Sequence, residues 1–515
     1  MKMNKDYKIE NRISFITALV AIVCTYGLFF YTSWAVDHVG NYYGLGKWAW
    51  GIKGYVTVSL AGGRFGVFIW DTLSFLLAQI GFTKLQNEWL MQAIFMVLLA
   101  VAAKIIYSVF SKFFEIKYKP IIITLLICIA FINPLFVENF VFVGYELGAS
   151  ILCSAYAVKQ FANKSVKSSI VAVILLFISV ITYQAHVSLF LIWTTAYIYL
   201  EYGKKLSKKG IAELIRSYVI TIIPLGADMA IMKIFASYSQ RGDDLATGES
   251  ASLIKSVIRV WYHLFITEID LTAKCFVLIF VVAIVCIGVV SFVRSEGRSS
   301  NRCALKEIAS MIAYLLGIFV LLNCYYVAIV LVGYTSFYGR IFWPGFAATS
   351  MMSLICLRLC ETNEKKSITT IVYLGVVTSF VLGLFFFTQT ESTDCYIANK
   401  LDEEIAGIVE EYIEHYEQET GNKITTIKAK VVEDSDRYEK YLIRNSNYEF
   451  AYKMMSLDTL PIDLINYSFD KEYEKMSMTE SEYMDRFGDS IECMDEFNPL
   501  KQLVFEKNIL YWAVY

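Results

Sequence analysis

The 515-residue chain is 57% hydrophobic and only 18% charged, a balance that excludes an ordinary soluble globular protein and puts most of it in a bilayer. Its 46 basic and 48 acidic residues nearly cancel, to a net charge of −2, and no nucleic-acid partner is expected. The cancellation hides a division: basic residues occupy short loops between apolar runs, while acidic residues crowd after Glu391.

The first apolar run, Ile13 to Trp34, follows Lys2, Lys5, Lys8 and Arg12. It exceeds the 7–15 residues of a signal-peptide core and is read as a retained anchor. Asp37 and His38 come just after it, past Ala35 and Val36. Asp37 has three readings: a solvated helix-end charge, a proton or ion relay, or a catalytic group facing an external substrate. The loop Gly40 to Trp48 has glycines and a lysine, but Gly46-Lys47 comes one residue late for a phosphate loop and Trp48 stands where Ser or Thr is needed.

Further spans of roughly 20 residues are expected at 89–110, 120–137, 145–161, 168–185, 187–201, 216–235, 273–293, 308–332, 341–358 and 368–388. Phe65 to Phe82 is apolar but carries Asp71 between Arg64 and Lys84. If it does not cross, the lysine- and arginine-rich loops at 112–119, 159–167, 204–209, 294–302 and 365–366 all fall on the cytoplasmic side, as the positive-inside rule requires. It is therefore read as a segment that lies along the outer interface or re-enters. The expectation is an all-α polytopic protein of about eleven spans, residues 1–390 with an external loop at 35–88, its N-terminus inside. Residues 391–515 form a small external α/β domain, with an acidic amphipathic helix at 398–419 and a strand at 423–432. There, Cys395 and Cys493 are read either as a disulfide or as two free thiols.

This topology gathers Asp37, Arg64, Glu138, Glu146, His186, the loop 236–272 and Arg340 on the external face. The chain has no GxGxxG after a strand, no HExxH and no zinc spacing. External chemistry without a nucleotide site needs a pre-activated substrate, such as a lipid carrying a phosphate-linked group. Asp228, inside an apolar run beside Pro224 and Gly226, is read as part of a bent, hydrated helix and not as a site residue.

Four stretches carry a family resemblance: Asp37 with its loop to Gly63-Arg64-Phe65; Asn133-Pro134-Leu135-Phe136-Val137-Glu138-Asn139-Phe140 running on to Tyr145-Glu146; Thr182-Tyr183-Gln184-Ala185; and Tyr338-Gly339-Arg340. In this order they resemble the GtrII-like bacterial membrane glucosyltransferases of the GT-C fold. The resemblance implies transfer of a hexose, glucose in the family, from a polyprenyl-phosphate carrier to a cell-surface glycan at the plasma membrane. It implies roles for Asp37 as catalytic base and for Arg64 and Arg340 on the donor phosphate. Glu138, Glu146, Tyr183 and Gln184 would contact substrate. Val36-Asp37 stands where the family often has paired acids, so the use of a divalent metal stays open. The residues fit such chemistry. A single carboxylate suffices for an inverting transfer, and the planar arginine fork binds phosphate through two hydrogen bonds. Each also has a plainer reading: Arg64 and Arg340 as interfacial anchors, Glu138 and Glu146 as loop charges, Tyr183 and Gln184 as helix-packing groups, and His38 and His186 as structural histidines. A transporter or lipid flippase, and an envelope scaffold, are the rival classes.

Overall fold

A computed structural model of the chain describes residues 2–30, 60, 65–66, 72–73, 76–77, 79–142, 144–202, 207–235, 271–295, 308–309, 311–322, 343–361, 368–431, 438, 440–443, 453–456, 459–488 and 497–514. Asp37, His38, Arg64, Arg340 and Cys493, residues 236–270 of the expected loop and residues 67–71, 74–75 and 78 of the Phe65 to Phe82 segment lie outside them. Two compact units are present: Met1–Gly27, Trp50–Val137 and Gly144–Gln389 in the first, and Leu28–Ala49, Glu138–Val143 and Thr390–Tyr515 in the second.

The first unit is helical. Its helices are α1 (Lys2–Tyr26), α2 (Lys84–Phe110), α3 (Lys119–Cys128), then, past α4 (Val137–Phe142), α5 (Gly144–Ala162), α6 (Val166–Thr182), α7 (Val187–Tyr202), α8 (Lys208–Ile234), α9 (Leu271–Ser295), α10 (Met311–Leu322), α11 (Pro344–Glu361) and the first part of α12 (Ile368–Thr420). Among the described residues four are long and apolar enough to cross a membrane, those at Tyr7–Phe30, Trp89–Phe113, Lys208–Ile234 and Ile368–Thr420. Local signals set their ends. Thr83 and Gln86 form a reciprocal capping box on α2, and Ser165 and Ser207 cap α6 and α8.

The side chains are sorted inside out relative to a soluble bundle. On α8, Ser217, Thr221, Pro224, Asp228 and Met232 are buried, while Ile215, Val219, Ile222, Ile223 and Met229 are exposed. The same holds for α6, with Ser179 and Thr182 inside and Ile170, Ile174 and Ile178 outside. Isoleucines on the outer face and hydroxyls within are the arrangement lipid favours, because packing and interhelical hydrogen bonds, not burial from water, hold such helices together. Small residues let them approach: a Cβ on Gly148 of α5 would lie 2.6 Å from the Phe95 ring of α2. Ser150 and Ser154 of α5 meet Ser179 of α6 at 2.8 and 3.0 Å.

Most expected spans coincide with helices, and the differences are local. The span expected at 120–137 ends as α-helix at Cys128, because Asn133 and Pro134 impose a new start. The span expected at 341–358 begins at Pro344, and the last helix continues without a break to Thr420, taking in the acidic helix expected at 398–419.

The second unit contains the later part of α12 and a four-stranded sheet, β1 (Thr426–Val431), β2 (Glu474–Ser477), β3 (Leu503–Glu506) and β4 (Ile509–Val514), in the order β2-β1-β4-β3. β1 is parallel to both neighbours, and β3 and β4 are antiparallel. Strand alternation divides the side chains by face. Ile427, Ala429, Leu510, Trp512 and Val514 pack with Ala406, Val409 and Ile413 of α12 and with the helix α13 (Leu460–Phe469). Tyr511 and Ala513 pack with Met478, and with Tyr483 and Phe487 at the helix α14 (Glu480–Arg486). Cys395 is a buried free thiol.

Candidate active site

The second family-like stretch begins with a buried turn. Asn133, in extended backbone, accepts the Phe136 N–H through Oδ1 at 3.1 Å and donates through Nδ2 to the Ala130 carbonyl at 3.0 Å. The Tyr26 hydroxyl donates to the Phe131 carbonyl at 2.5 Å, tying α1 to the same turn. Pro134 suits the first turn position, where its missing N–H leaves no bond unmade. The turn presents Phe136 edge-on to Trp343, with ring centroids 4.7 Å apart. Trp343 is fully buried and stands three residues after Arg340.

The third stretch ends α6. Tyr183 leaves the helix in extended backbone, and Gln184–His186 form one 3-10 turn leading into α7. Ser154 of α5 donates to the His186 carbonyl at 3.1 Å, and Ser188 donates to the Ala185 carbonyl at 2.6 Å. The His186 ring lies 4.8 Å from the Tyr183 ring and 5.5 Å from that of Trp343. The end of the first stretch comes to the same place. Gly66, two residues after Arg64, lies so close to Thr182 that a Cβ on it would be 2.8 Å from the Thr182 Cα. Residues belonging to or adjoining all four family-like stretches therefore meet around one turn of the first unit: Gly66, Phe136, Thr182 and Tyr183 with His186, and Trp343.

Gln184 reaches across this turn to α8. Its side-chain amide donates to Asp228 Oδ2 at 2.7 Å and also meets Met232 Sδ at 3.3 Å. Asp228 is 2% exposed. It lies one turn past Pro224, whose missing N–H frees the Ile220 carbonyl from the helical ladder. A buried carboxylate in a helix with an isoleucine-rich outer face marks a functional position, and the sequence reading does not place this one in the site. The signal is present in the sequence as an acid four residues after a proline; what the sequence does not show is that Gln184 holds it. Glu146 is buried on α5, one helical turn before Ser150 and two before Ser154, on the side that faces α6 and the Gln184–His186 turn.

Glu138 belongs to the second unit, where it is buried. With Glu391 and Asp394 it lies close enough to Cys395 for its charge to act on that thiol. Two buried acids of α12 have structural work: Asp394 Oδ1 accepts the Ile443 N–H at 2.7 Å, and Asp402 accepts the Tyr438 hydroxyl at 2.7 Å and the Met454 N–H at 2.8 Å. Among the described residues no three His, Cys, Asp or Glu side chains are placed to share a metal ion.

Of the residues picked from the sequence, the structure brings Tyr183 and Gln184 together on one turn and puts Glu146 on a helix packed against it; Glu138 is in the other unit, and Asp37, Arg64 and Arg340 lie outside the described residues. A bundle of apolar-faced helices with carboxylates, an imidazole and aromatic rings on its inner side defines a membrane protein with an internal polar site. The family described as Glucosyl transferase GtrII matches residues 51–396, and the chain belongs to that family. No curated protein and no solved structure matches the chain. The chain is thus a membrane glucosyltransferase by family.

Proposed function

We propose that this glucosyltransferase takes a hexose, glucose as the family name implies, from a polyprenyl-phosphate carrier and places it on a cell-surface glycan at the external face of the bacterial plasma membrane. The acceptor hydroxyl oxygen attacks the anomeric carbon, the bond from that carbon to the phosphate oxygen breaks, and polyprenyl phosphate leaves with the electron pair. Asp37 takes the acceptor's proton, a role for which one carboxylate suffices. Positive charge builds on the sugar ring and negative charge on the departing phosphate, and Arg64 and Arg340 meet the latter with bidentate hydrogen bonds. Glu146, Tyr183 and Gln184 hold the sugar and acceptor. Inversion at the anomeric carbon follows from a single displacement. The chain spans the membrane several times with its N-terminus in the cytoplasm, and residues 391–515 lie outside.

The observation that carries this reading is that Gly66, Phe136 and Trp343, each in or beside a family-like stretch, pack at the Tyr183–His186 turn or against a ring that does, in a chain of the GtrII family. Mass and linkage analysis of the surface glycan, in cells with and without the chain, tests it. The expected result is one additional hexose in one linkage; identical glycans would refute the acceptor. Labelling single cysteines with an impermeant reagent tests the topology. Positions 236–272 and 391–515 should react in intact cells, and positions 204–209 should not.

A further inference from the structure

His186 is fully buried, yet neither Nδ1 nor Nε2 has a hydrogen-bond partner. Among the described residues it is the one side chain with two such atoms. A histidine kept for packing would hydrogen-bond through at least one nitrogen, since a buried polar atom left without a partner destabilises the fold. A phenylalanine would pack its ring against Tyr183 and Trp343 in the same way without that penalty. The indole Nε1 of Trp343, whose ring touches that of His186, is also buried without a partner. Places where a fold breaks such a local rule are where function is found. The turn is closed at His186 but partly open at its neighbours Gln184 and Ala185, and Tyr183 reaches the surface with 8% exposure.

From this geometry we infer that His186 is a sugar-binding residue: its imidazole takes a pair of neighbouring hydroxyls of the donor hexose, with Trp343 Nε1 adding a third hydrogen bond. A neutral imidazole carries one donor and one acceptor, which matches two vicinal hydroxyls, one accepting and one donating. The two aromatic rings beside the imidazole, Tyr183 and Trp343, suit the apolar face of a pyranose. Displacement of Tyr183, the one residue of the three with any exposure, opens the way in. The inference rests on the glucosyl-transfer reading and adds to it a residue that selects the sugar.

The test uses the full-length purified protein in detergent, with polyprenyl-phosphate glucose and its 2-, 3-, 4- and 6-deoxy analogues as probes. Binding and transfer are both measured, for wild type, His186→Phe, His186→Gln and Trp343→Phe. Wild type should bind and use one adjacent pair of deoxy analogues about ten- to a hundred-fold less well than the glucose donor. His186→Phe should lose a similar factor on the glucose donor and lose its discrimination against that pair, while melting at or above the wild-type temperature. His186→Gln, which keeps a donor and an acceptor, should recover part of the discrimination.

Equal loss on every donor, or wild-type behaviour on all of them, would overturn the inference. So would failure of both His186 variants to fold, because that makes the ring a structural element. Wild-type protein that binds these donors selectively but transfers nothing would count against the transfer reading alone. Protein that binds none of them would overturn both readings.

Discussion

Gly66→Ala is the substitution whose effect the structure sets most directly. The added Cβ would lie 2.2 Å from Thr182 Oγ1, 2.8 Å from its Cα and 2.9 Å from its Cβ. The hydroxyl could rotate away, giving up its 2.8 Å bond to the Ile178 carbonyl, but the Cα is main chain and cannot. The segment holding Gly66 must therefore move away from the end of α6 by at least about half an ångström to restore ordinary spacing. Overpacking of this kind destabilises by about 1–3 kcal/mol. Its second effect falls on activity, because Thr182 leads directly into the Tyr183–His186 turn, and a misplacement of about 1 Å can lower a rate 10²-fold. Thermal melting of the detergent-purified protein and its transfer rate are the two assays. Gly66→Ala should melt several degrees lower and transfer at least tenfold more slowly. Combining it with Thr182→Ala should restore only part of the loss, since the clash with the main chain at the end of α6 remains. Wild-type melting and turnover for Gly66→Ala would refute the close approach of this segment to α6.

Three further outcomes follow from the same structure. Gln184→Leu should weaken the fold by about 1–2 kcal/mol through loss of the interhelical bond to Asp228, whereas Asp228→Asn should keep its melting temperature and lose transfer; equal effects of both on stability and rate would make the pair purely structural. Asn133→Ala should lower stability by about 0.5–2 kcal/mol, read as a lower melting temperature, because it removes the side-chain cap on the Phe136 N–H, which keeps only the Asn133 carbonyl, together with the side-chain bond to the Ala130 carbonyl. In the tail, the Lys428 ammonium 2.6 Å from Glu482 holds that carboxyl down to about 2. A depressed carboxyl stabilises the folded form above its unfolded value and loses that contribution as pH falls, so β1 and α14 should open to hydrogen exchange between about pH 4.5 and 2. Lys428→Met should flatten that dependence.

Much of the helical framework is legible in the sequence because apolar runs of bilayer length have one economical conformation in lipid. The strand at 426–431 is legible from alternation, since Ile427 and Ala429 face one side and Lys428 and Lys430 the other. The break after Cys128 is not, because Asn133 reads as an ordinary polar residue until its side chain is seen bonded to both sides of the turn. Tyr183 and Gln184 are legible as polar residues ending a span. Asp228 is visible as an acid in an apolar run, but its partner lies 44 positions away in the chain and no local pattern links them. Trp343 and His186 give less warning still: one looks like an interfacial aromatic and the other like a structural histidine. Only three-dimensional packing shows that their rings touch and that their nitrogens lack partners.

In the proposed reaction the chain forms a glycosidic bond using a lipid-phosphate sugar and the Asp37 carboxylate. The most direct test is transfer of labelled glucose from polyprenyl-phosphate glucose to isolated surface glycan by purified wild-type protein and by Asp37→Asn, with donor binding measured in parallel. Wild type should release polyprenyl phosphate in step with glycan labelling, and Asp37→Asn should bind donor normally but transfer about 10²- to 10⁴-fold more slowly. Absence of glycan labelling by a folded, donor-binding wild type, or near-normal turnover by Asp37→Asn, would contradict it.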